Sequence, residues 1–398
     1  MDCIKIKREN HMKKLLLLLI IVFFGTTLCQ SIVEIKVTNS TSLRRNSETI
    51  EINFEKMKKL IPGMKADEVI VLANKENAQI PFQLIDIDGK TDQLIFQSDF
   101  LPKETKKFLV KTNKAGRKDF TNVVATKFVK GREDFAWEND RIAFRIYGPA
   151  LAAEVDNGID IWTKSVRYPI VEKWYAGEEK PESEKISYHI DHGEGADFFN
   201  VGKSLGCGGS AIWENGKLYQ SGVFKTYKKI AAGPLRAVFE VSYNYHVDGK
   251  EINEVKRITL DAGKNLNKID VTYKTKDDNS EIEFAVGLVK RDATTKYSDE
   301  KNHWVSLWGT TTKNPEDEFL GMGIVFPKSI FKTFSEDENH FIVIGRTSMN
   351  HSFTYYSGAG WTKNGGFKTF GDWNNYLTQF SKEIRNPVKI KIKPVYQK

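Results

Sequence analysis

Hydrophobic and polar residues alternate along most of this chain with the two-residue period of half-buried strands. IVEIKVTN from Ile32, ETIEINF from Glu48, EVIVLAN from Glu68 and QLIDIDGKTDQLIFQ from Gln83 all show it. Asp88-Gly89 splits the last of these and reads as a hairpin turn. From Arg141 to Tyr147, Ile142, Phe144 and Ile146 face one way, and Arg141, Ala143, Arg145 and Tyr147 the other. Residues 235–243 repeat this, with Ala237, Phe239, Val241 and Tyr243 opposite Arg236, Val238, Glu240 and Ser242. Further strands are predicted over 255–260, 268–273, 282–289, 320–326 and 341–346. Turn dipeptides stand at Asn157-Gly158, Asn215-Gly216, Asp248-Gly249 and Asn364-Gly365. Helical spacing is confined to residues 53–60 and 371–383. No repeat of about 20–50 residues is present, which argues against a propeller or solenoid. The expected fold is all-β: a large antiparallel sandwich with few short helices and one polar, wet sheet face.

A lysine-rich stretch, Lys103 to Lys118, ends in a polar loop and places a soft boundary near residue 125. Residues 30–125 then form a small β domain or the first part of the sandwich, and residues 126–398 the main body. At 398 residues, with 40% hydrophobic and 28% charged positions, the chain can build a packed core. Residues 1–29 read differently. Lys13 and Lys14 precede an apolar run from Leu15 to Phe24, followed by Gly25, Thr26 and Thr27, the layout of a secretory signal cut near Cys29 and Gln30. The run is too short to span a bilayer, and Leu28 before Cys29 is not the small residue a lipoprotein signal needs. The mature chain is therefore expected outside the inner membrane, secreted or periplasmic, without membrane insertion.

Cleavage changes the charge. The segment 1–29 carries Lys5, Lys7, Arg8, Lys13 and Lys14 against Asp2 and Glu9, a net of +3, so the formal +8 becomes +8 − 3 = +5. Mild basicity suits an acidic partner. No dense basic block or zinc spacing points to nucleic acid. After cleavage Cys207 is the one cysteine left, so no internal disulfide forms, and a small buried thiol fits it better than a nucleophile.

Three clusters carry candidate chemistry. YHIDHGEGADFF, Tyr188 to Phe199, packs His189, Asp191, His192, Glu194 and Asp197 between glycines. Three readings fit: divalent-metal ligands, although no HEXXH spacing is present; polar side chains tying down a loop; or acid/base work by His192 or His189. The second cluster runs from Arg346 to Trp361 and sets His351 among Tyr355, Tyr356 and Trp361. That is a base beside a sugar-stacking wall, or equally a histidine in an aromatic core. The third is basic: Arg141, Arg145 and Arg236 on predicted polar strand faces, whose forks match carboxylates. No organic cofactor is expected, because phosphate-binding and dinucleotide-binding glycine motifs are absent.

DFAWENDRIAFRIYGPAL, GIDIWTK, YHIDHGEGADFFNVGKSLGCGGSAIW and ITLDAGKNLNKIDVTY resemble a family of secreted bacterial proteins known as a domain of unknown function. The likeness covers roughly residues 125–395 and takes in the N-terminal strands too. It implies a galactose-mutarotase-like β-supersandwich and a role beside polysaccharide-degrading enzymes, including those for ulvan, an algal polymer of rhamnose and uronic acids. It further implies a dehydratase of uronate-containing oligosaccharides. In that chemistry a base removes the C5 proton beside the carboxylate, and the C4 substituent leaves with a proton. A departing hydroxyl makes a dehydratase, and a departing glycosidic oxygen makes a lyase. A protein that binds acidic sugars without turnover remains the third reading. The candidate acid and base are His192 and His351, with Tyr188 able to share the role. Arg141, Arg145, Arg236, His189, Glu194, Trp361 and Tyr355 are the candidate contacts to an acidic oligosaccharide.

Overall fold

The computed structural model describes residues 32–73, 78–113, 116–276, 279–311 and 318–395. The signal-like segment lies outside them. Five antiparallel sheets carry almost all the regular structure, as the alternation predicts.

The largest sheet has eight strands in the order Thr226–Ala232, Arg236–Val247, Lys250–Asp261, Leu266–Lys274, Ser352–Trp361, Phe319–Val325, Trp304–Thr310 and Thr295–Asp299. A five-stranded sheet built around Cys207–Glu214, Glu281–Val289 and His340–Ser348 packs against its inner face. A second five-stranded sheet, centred on Asp134–Glu138, Ile142–Tyr147 and Asp160–Lys164, covers the rest of that face. One core joins the layers: Trp137, Phe144 and Ile161 meet Phe239, Ile258 and Ile269, which in turn meet Phe284 and Val343. The inward faces are those read from the sequence, except that Tyr147, placed on the opposite face, also packs into this core. Ile142, Phe144 and Ile146 enter this core, while Ala143 packs on the other side of its sheet.

Residues near the N-terminus build a separate core. A three-stranded sheet (Arg45–Asn53, Thr91–Phe100, Phe82–Asp86) faces a four-stranded one (Lys389–Val395, Ile32–Thr38, Thr105–Thr112, Val69–Ala73). They enclose Ile35, Ile50, Phe54, Leu94, Phe96 and Val110. The last strand of the chain pairs antiparallel with the first, from Ile32 opposite Val395 to Thr38 opposite Lys389. It forms the sheet edge, and its alternating lysines and Pro394 discourage a further strand from adding there. Arg236 joins this unit to the main sandwich, with Nη2 2.6 Å from Glu51 and Nε 2.5 Å from Asp261.

The described residues contain three α-helices. Helix α1 (Phe54–Leu60) and helix α3 (Phe370–Arg385) match the two segments with helical spacing. Thr369 caps α3 by accepting from the Asp372 N–H, while the Asp372 side chain accepts from the Thr369 N–H. Helix α3 lies on the outer face of the large sheet and buries Trp373, Leu377 and Phe380 against Trp304 and Val325. Helix α2 (Val171–Glu178) was not legible in the sequence. No helix among the described residues is long and apolar enough to cross a membrane.

Candidate active site

The glycine-rich loop from Tyr188 to Phe199 crosses the outer face of the second five-stranded sheet, beside α2, and covers a buried ionic cluster. Strand register assembles the cluster: Asp160 pairs directly with Arg145, and Asp134 with Tyr147. Arg145 Nη2 lies 2.6 Å from Asp160 Oδ2 and 2.8 Å from Asp197 Oδ2, and Nη1 lies 3.7 Å from Asp134. Asp160 also accepts from Tyr147 Oη at 2.9 Å and from Trp162 Nε1 at 3.1 Å. Asp134 accepts from Tyr175 Oη at 3.2 Å and pairs with Arg132 at 2.9 Å. The guanidinium stands 4.8 Å from the Trp162 ring centre.

Three carboxylates thus face two guanidinium groups, leaving one negative charge uncancelled in an apolar setting. Burial, with Asp160 alongside, pushes the Asp197 carboxyl well above the usual range despite Arg145. Burial also raises Asp134 against the pull of Arg145 and Arg132. A proton on Asp197 would cancel the excess charge.

His189 sits at the mouth of this cluster, its side chain 56% exposed, with Nδ1 3.2 Å from the Asp197 carbonyl oxygen. Tyr188 turns inward and stacks on Trp162, its hydroxyl 3.4 Å from Arg145 Nη1. Gly195 is required where it is: φ is +109°, and a Cβ there would stand 2.1 Å from the Thr163 carbonyl oxygen.

The acids of the loop take separate partners. Asp191 Oδ1 accepts from the N–H groups of Gly193 and Gly195 at 2.8 and 2.9 Å, and its Oδ2 is 3.1 Å from Lys363 Nζ. Glu194 pairs with Lys173 at 2.7 Å and accepts from Tyr168 Oη at 2.8 Å. No group of three ligating side chains suited to a metal ion occurs among the described residues. Of the three readings of this loop, tying down its backbone describes Asp191 and Glu194.

Beside the loop, against α2, opens a cavity of about 530 Å³ lined by Lys173, Trp174, Lys180, Ile186, His192 and Glu194. Helix α2 is held from outside itself. Glu138 accepts from the N–H groups of Ile170 and Val171 at 2.9 and 2.8 Å, and buried Lys164 pairs with Glu138 at 2.5 Å. Burial lowers the Lys164 ammonium, opposed by Glu138.

The structure brings together only some of the residues singled out in the sequence. His192, His189, Glu194 and Tyr188 share the loop. Trp361 meets it through an edge contact with Phe198 at 6.0 Å, but is only 1% exposed. His351 is exposed at the opposite end of the strand Ser352–Trp361, which at ten residues spans about 30 Å. It therefore does not face His192 across one site. Tyr355 is fully buried, donates to the Gly208 carbonyl at 2.6 Å and belongs to the core, not to a stacking wall. The forks of Arg145 and Arg236 are occupied by carboxylates of the protein itself. Arg141 and Arg236 line a different cleft, against α3. Cys207 is buried, and burial pushes its thiol up to about 12.

Asp134, Asp160 and Arg132 were missed. For the two acids a signal was present, a charge opening a strand that is buried along its whole length, as in DFAWE and DIWTK, whereas Arg132 lies in the turn before the first of these and carried none.

The fold is that of an all-β sandwich protein. An α-mannosidase from Enterococcus faecalis V583 shares it with a TM-score of 0.50 at 10% identity, over 91% of this chain and 46% of that one. A second Enterococcus faecalis structure, described as a protein in glycosyl hydrolase family 38, gives the same score and identity and is covered to 47%. The chain thus spans just under half the length of these structures. It belongs to the family described as Domain of unknown function (DUF4861), whose profile matches residues 37–390. An uncharacterized protein of Formosa agariphila, P7, is 32% identical over 379 residues, covering 90% of this chain and 93% of the relative.

Proposed function

We propose that the protein is a carbohydrate-active enzyme that removes water from a non-reducing-end uronic acid of ulvan-type oligosaccharides. The observation that carries this reading is the α2 cavity, whose lining combines His192 with Lys173, Lys180 and Trp174. A uronate needs these residue types: an imidazole for the C5 proton, an ammonium for the carboxylate, and an aromatic platform for the ring. Glu194 already pairs with Lys173. Lys180 has no ion-pair partner among the described residues and is the cation assigned to the substrate carboxylate. His192 takes the C5 proton, and the electron pair forms the C4–C5 double bond. The resulting imidazolium gives the proton to the departing C4 hydroxyl, so that water leaves and the base is regenerated. The ionic cluster behind the loop acts by holding its backbone in place.

A second reading, an acidic-sugar-binding protein without turnover, is supported by the occupied forks of Arg145 and Arg236, which leave fewer donors for an enolate-like charge. Mass spectrometry of ulvan oligosaccharides incubated with the protein separates the readings. Loss of one water without shortening supports the dehydratase, and shorter unsaturated products make it a lyase. Binding without any product leaves the second reading.

A further inference from the structure

Helix α3 presents a polar stripe beside its buried one. Asp372, Asn375, Gln379 and Glu383, spaced three and four residues apart, line a cleft whose other lining includes Arg141 and Asn265. The aromatic side chains Phe367, Tyr376 and Phe380 line it too. The cavity is about 370 Å³, and a second of about 290 Å³ adjoins it, sharing Lys264, Phe380 and Glu383 and continuing to Lys268 and Tyr356 on the sheet.

All but one of the acids of this cleft are held by cations or by backbone N–H groups; the exception, Glu383, accepts from Gln379 Nε2 at 2.7 Å, and burial raises its carboxyl despite Lys264. Arg236 holds Glu51 and Asp261, and Arg45 holds Glu48 at 3.0 Å. Asp372 accepts from the N–H groups of Lys368 and Thr369 at 3.0 Å. Two cations are less satisfied. Lys264 Nζ donates to the Asn46 carbonyl at 2.9 Å and has no carboxylate partner among the described residues. Arg141 Nε is buried without a hydrogen bond, 3.3 Å from the Asp140 carboxylate. Amides, aromatic faces and two cations, Lys264 and Arg141, with donors left over are what a hydroxyl-rich, anionic chain requires.

We propose that this cleft binds a stretch of acidic oligosaccharide, as a second carbohydrate site apart from the α2 cavity. Its Arg141 end adjoins the glycine-rich loop: Asn364 donates to the Arg141 carbonyl at 2.7 Å, and neighbouring Lys363 pairs with Asp191. A glycan lying in the cleft therefore points toward the loop that carries His192. The inference rests on the proposed function for the class of ligand and requires no turnover.

The test is affinity electrophoresis of the full chain through gels containing ulvan, with gels containing a neutral glucan as control. Wild type should be retarded by ulvan alone. Asn375→Ala, on the exposed surface of α3, should weaken retardation about fivefold, one hydrogen bond's worth, with the unfolding temperature unchanged, and Gln379→Ala, which also gives up its bonds to the Arg44 carbonyl and Glu383, should weaken it at least as much. Lys264→Ala should weaken it as well. Equal retardation of wild type and both helix variants overturns the proposal, as does equal retardation by the neutral glucan or none by ulvan. His192→Ala should keep wild-type retardation while losing product. A wild type that forms no product, yet loses retardation in the helix variants, would refute the dehydratase and leave the cleft standing.

Discussion

Asp191 and Lys363 lie 172 positions apart in the chain and 3.1 Å apart in space. This pair fastens the glycine-rich loop to the residues following the strand that ends at Trp361. Against the raising effect of burial, the Gly195 N–H, Lys363 and the Gly193 N–H hold the Asp191 carboxyl below its usual range. A lowered carboxylate stabilises the fold above its unfolded pKa, and that stabilisation disappears as pH falls through the folded value. Asp191→Ala should therefore lower the unfolding temperature at neutral pH, with the deficit shrinking in acid. Lys363→Ala should cost less, about 1 kcal/mol or below, because its side chain is partly exposed. Thermal unfolding at several pH values checks both, and a pH-independent deficit for Asp191→Ala would contradict the assignment.

The two candidate bases should separate cleanly. His192→Ala is expected to lower kcat about 10²–10⁴-fold, with the fold intact because the side chain is exposed. His351→Ala should retain full activity, since it stands at the far end of its strand. Lys180→Ala should mainly raise KM. Rates measured from absorbance of the unsaturated product decide this, and a fully active His192→Ala would remove that residue from the mechanism.

Asp197 gives a pH dependence of the opposite sign. Its raised carboxyl contributes stability that is complete below the unfolded pKa, about 4, and is lost as pH rises through the folded value. Asp197→Asn keeps the neutral form at every pH. The variant should match wild type in acid and gain on it as pH rises. Unfolding temperatures that stay parallel across pH would mean that Asp197 is ionised throughout.

Removing Arg145 should be severe. Arg145→Met leaves Asp134, Asp160 and Asp197 buried with Arg132 alone, at a cost of about 3–5 kcal/mol or more. Arg145→Lys should recover part of it, since one ammonium cannot serve Asp160 and Asp197 in the fork geometry. Urea unfolding of the two variants gives the comparison, and a midpoint unchanged in Arg145→Met would refute a structural role for the cluster.

Cys207 should be inert toward thiol reagents in the folded protein and react once on unfolding, as burial and its raised thiol require. Rapid labelling under native conditions would show that the core opens where the Cys207 thiol donates to the Gly358 carbonyl at 3.3 Å.

Strand identity was legible because alternation records which face is buried. The inward sides of Ile142–Tyr147 and Arg236–Val247 follow directly from it. Helix α3 was legible through its four-turn stripe, but α2 was not. It has only two turns, includes Gly177, and is anchored by Glu138, a residue 32 positions before Ile170. The candidate site was half legible. The loop stood out by composition, but the occupancy of Arg145 depends on acids from three other segments. The sequence places Arg145 on a polar face without showing that the face is roofed by Tyr188 and Asp197. His351 misled for a related reason: closeness in sequence to Trp361 becomes distance along an extended strand.

The pairing of Ile32–Thr38 with Lys389–Val395 has a temporal consequence. The edge strand Lys389–Val395 is made long after Ile32–Thr38, with the whole sandwich between them. The N-terminal unit must wait with one flank of Ile32–Thr38 unpaired while the whole sandwich is made. Arrival of Lys389–Val395, rather than local collapse, is then the event that closes this sheet, and a chain truncated before Lys389 would carry an exposed, adhesive strand in its place.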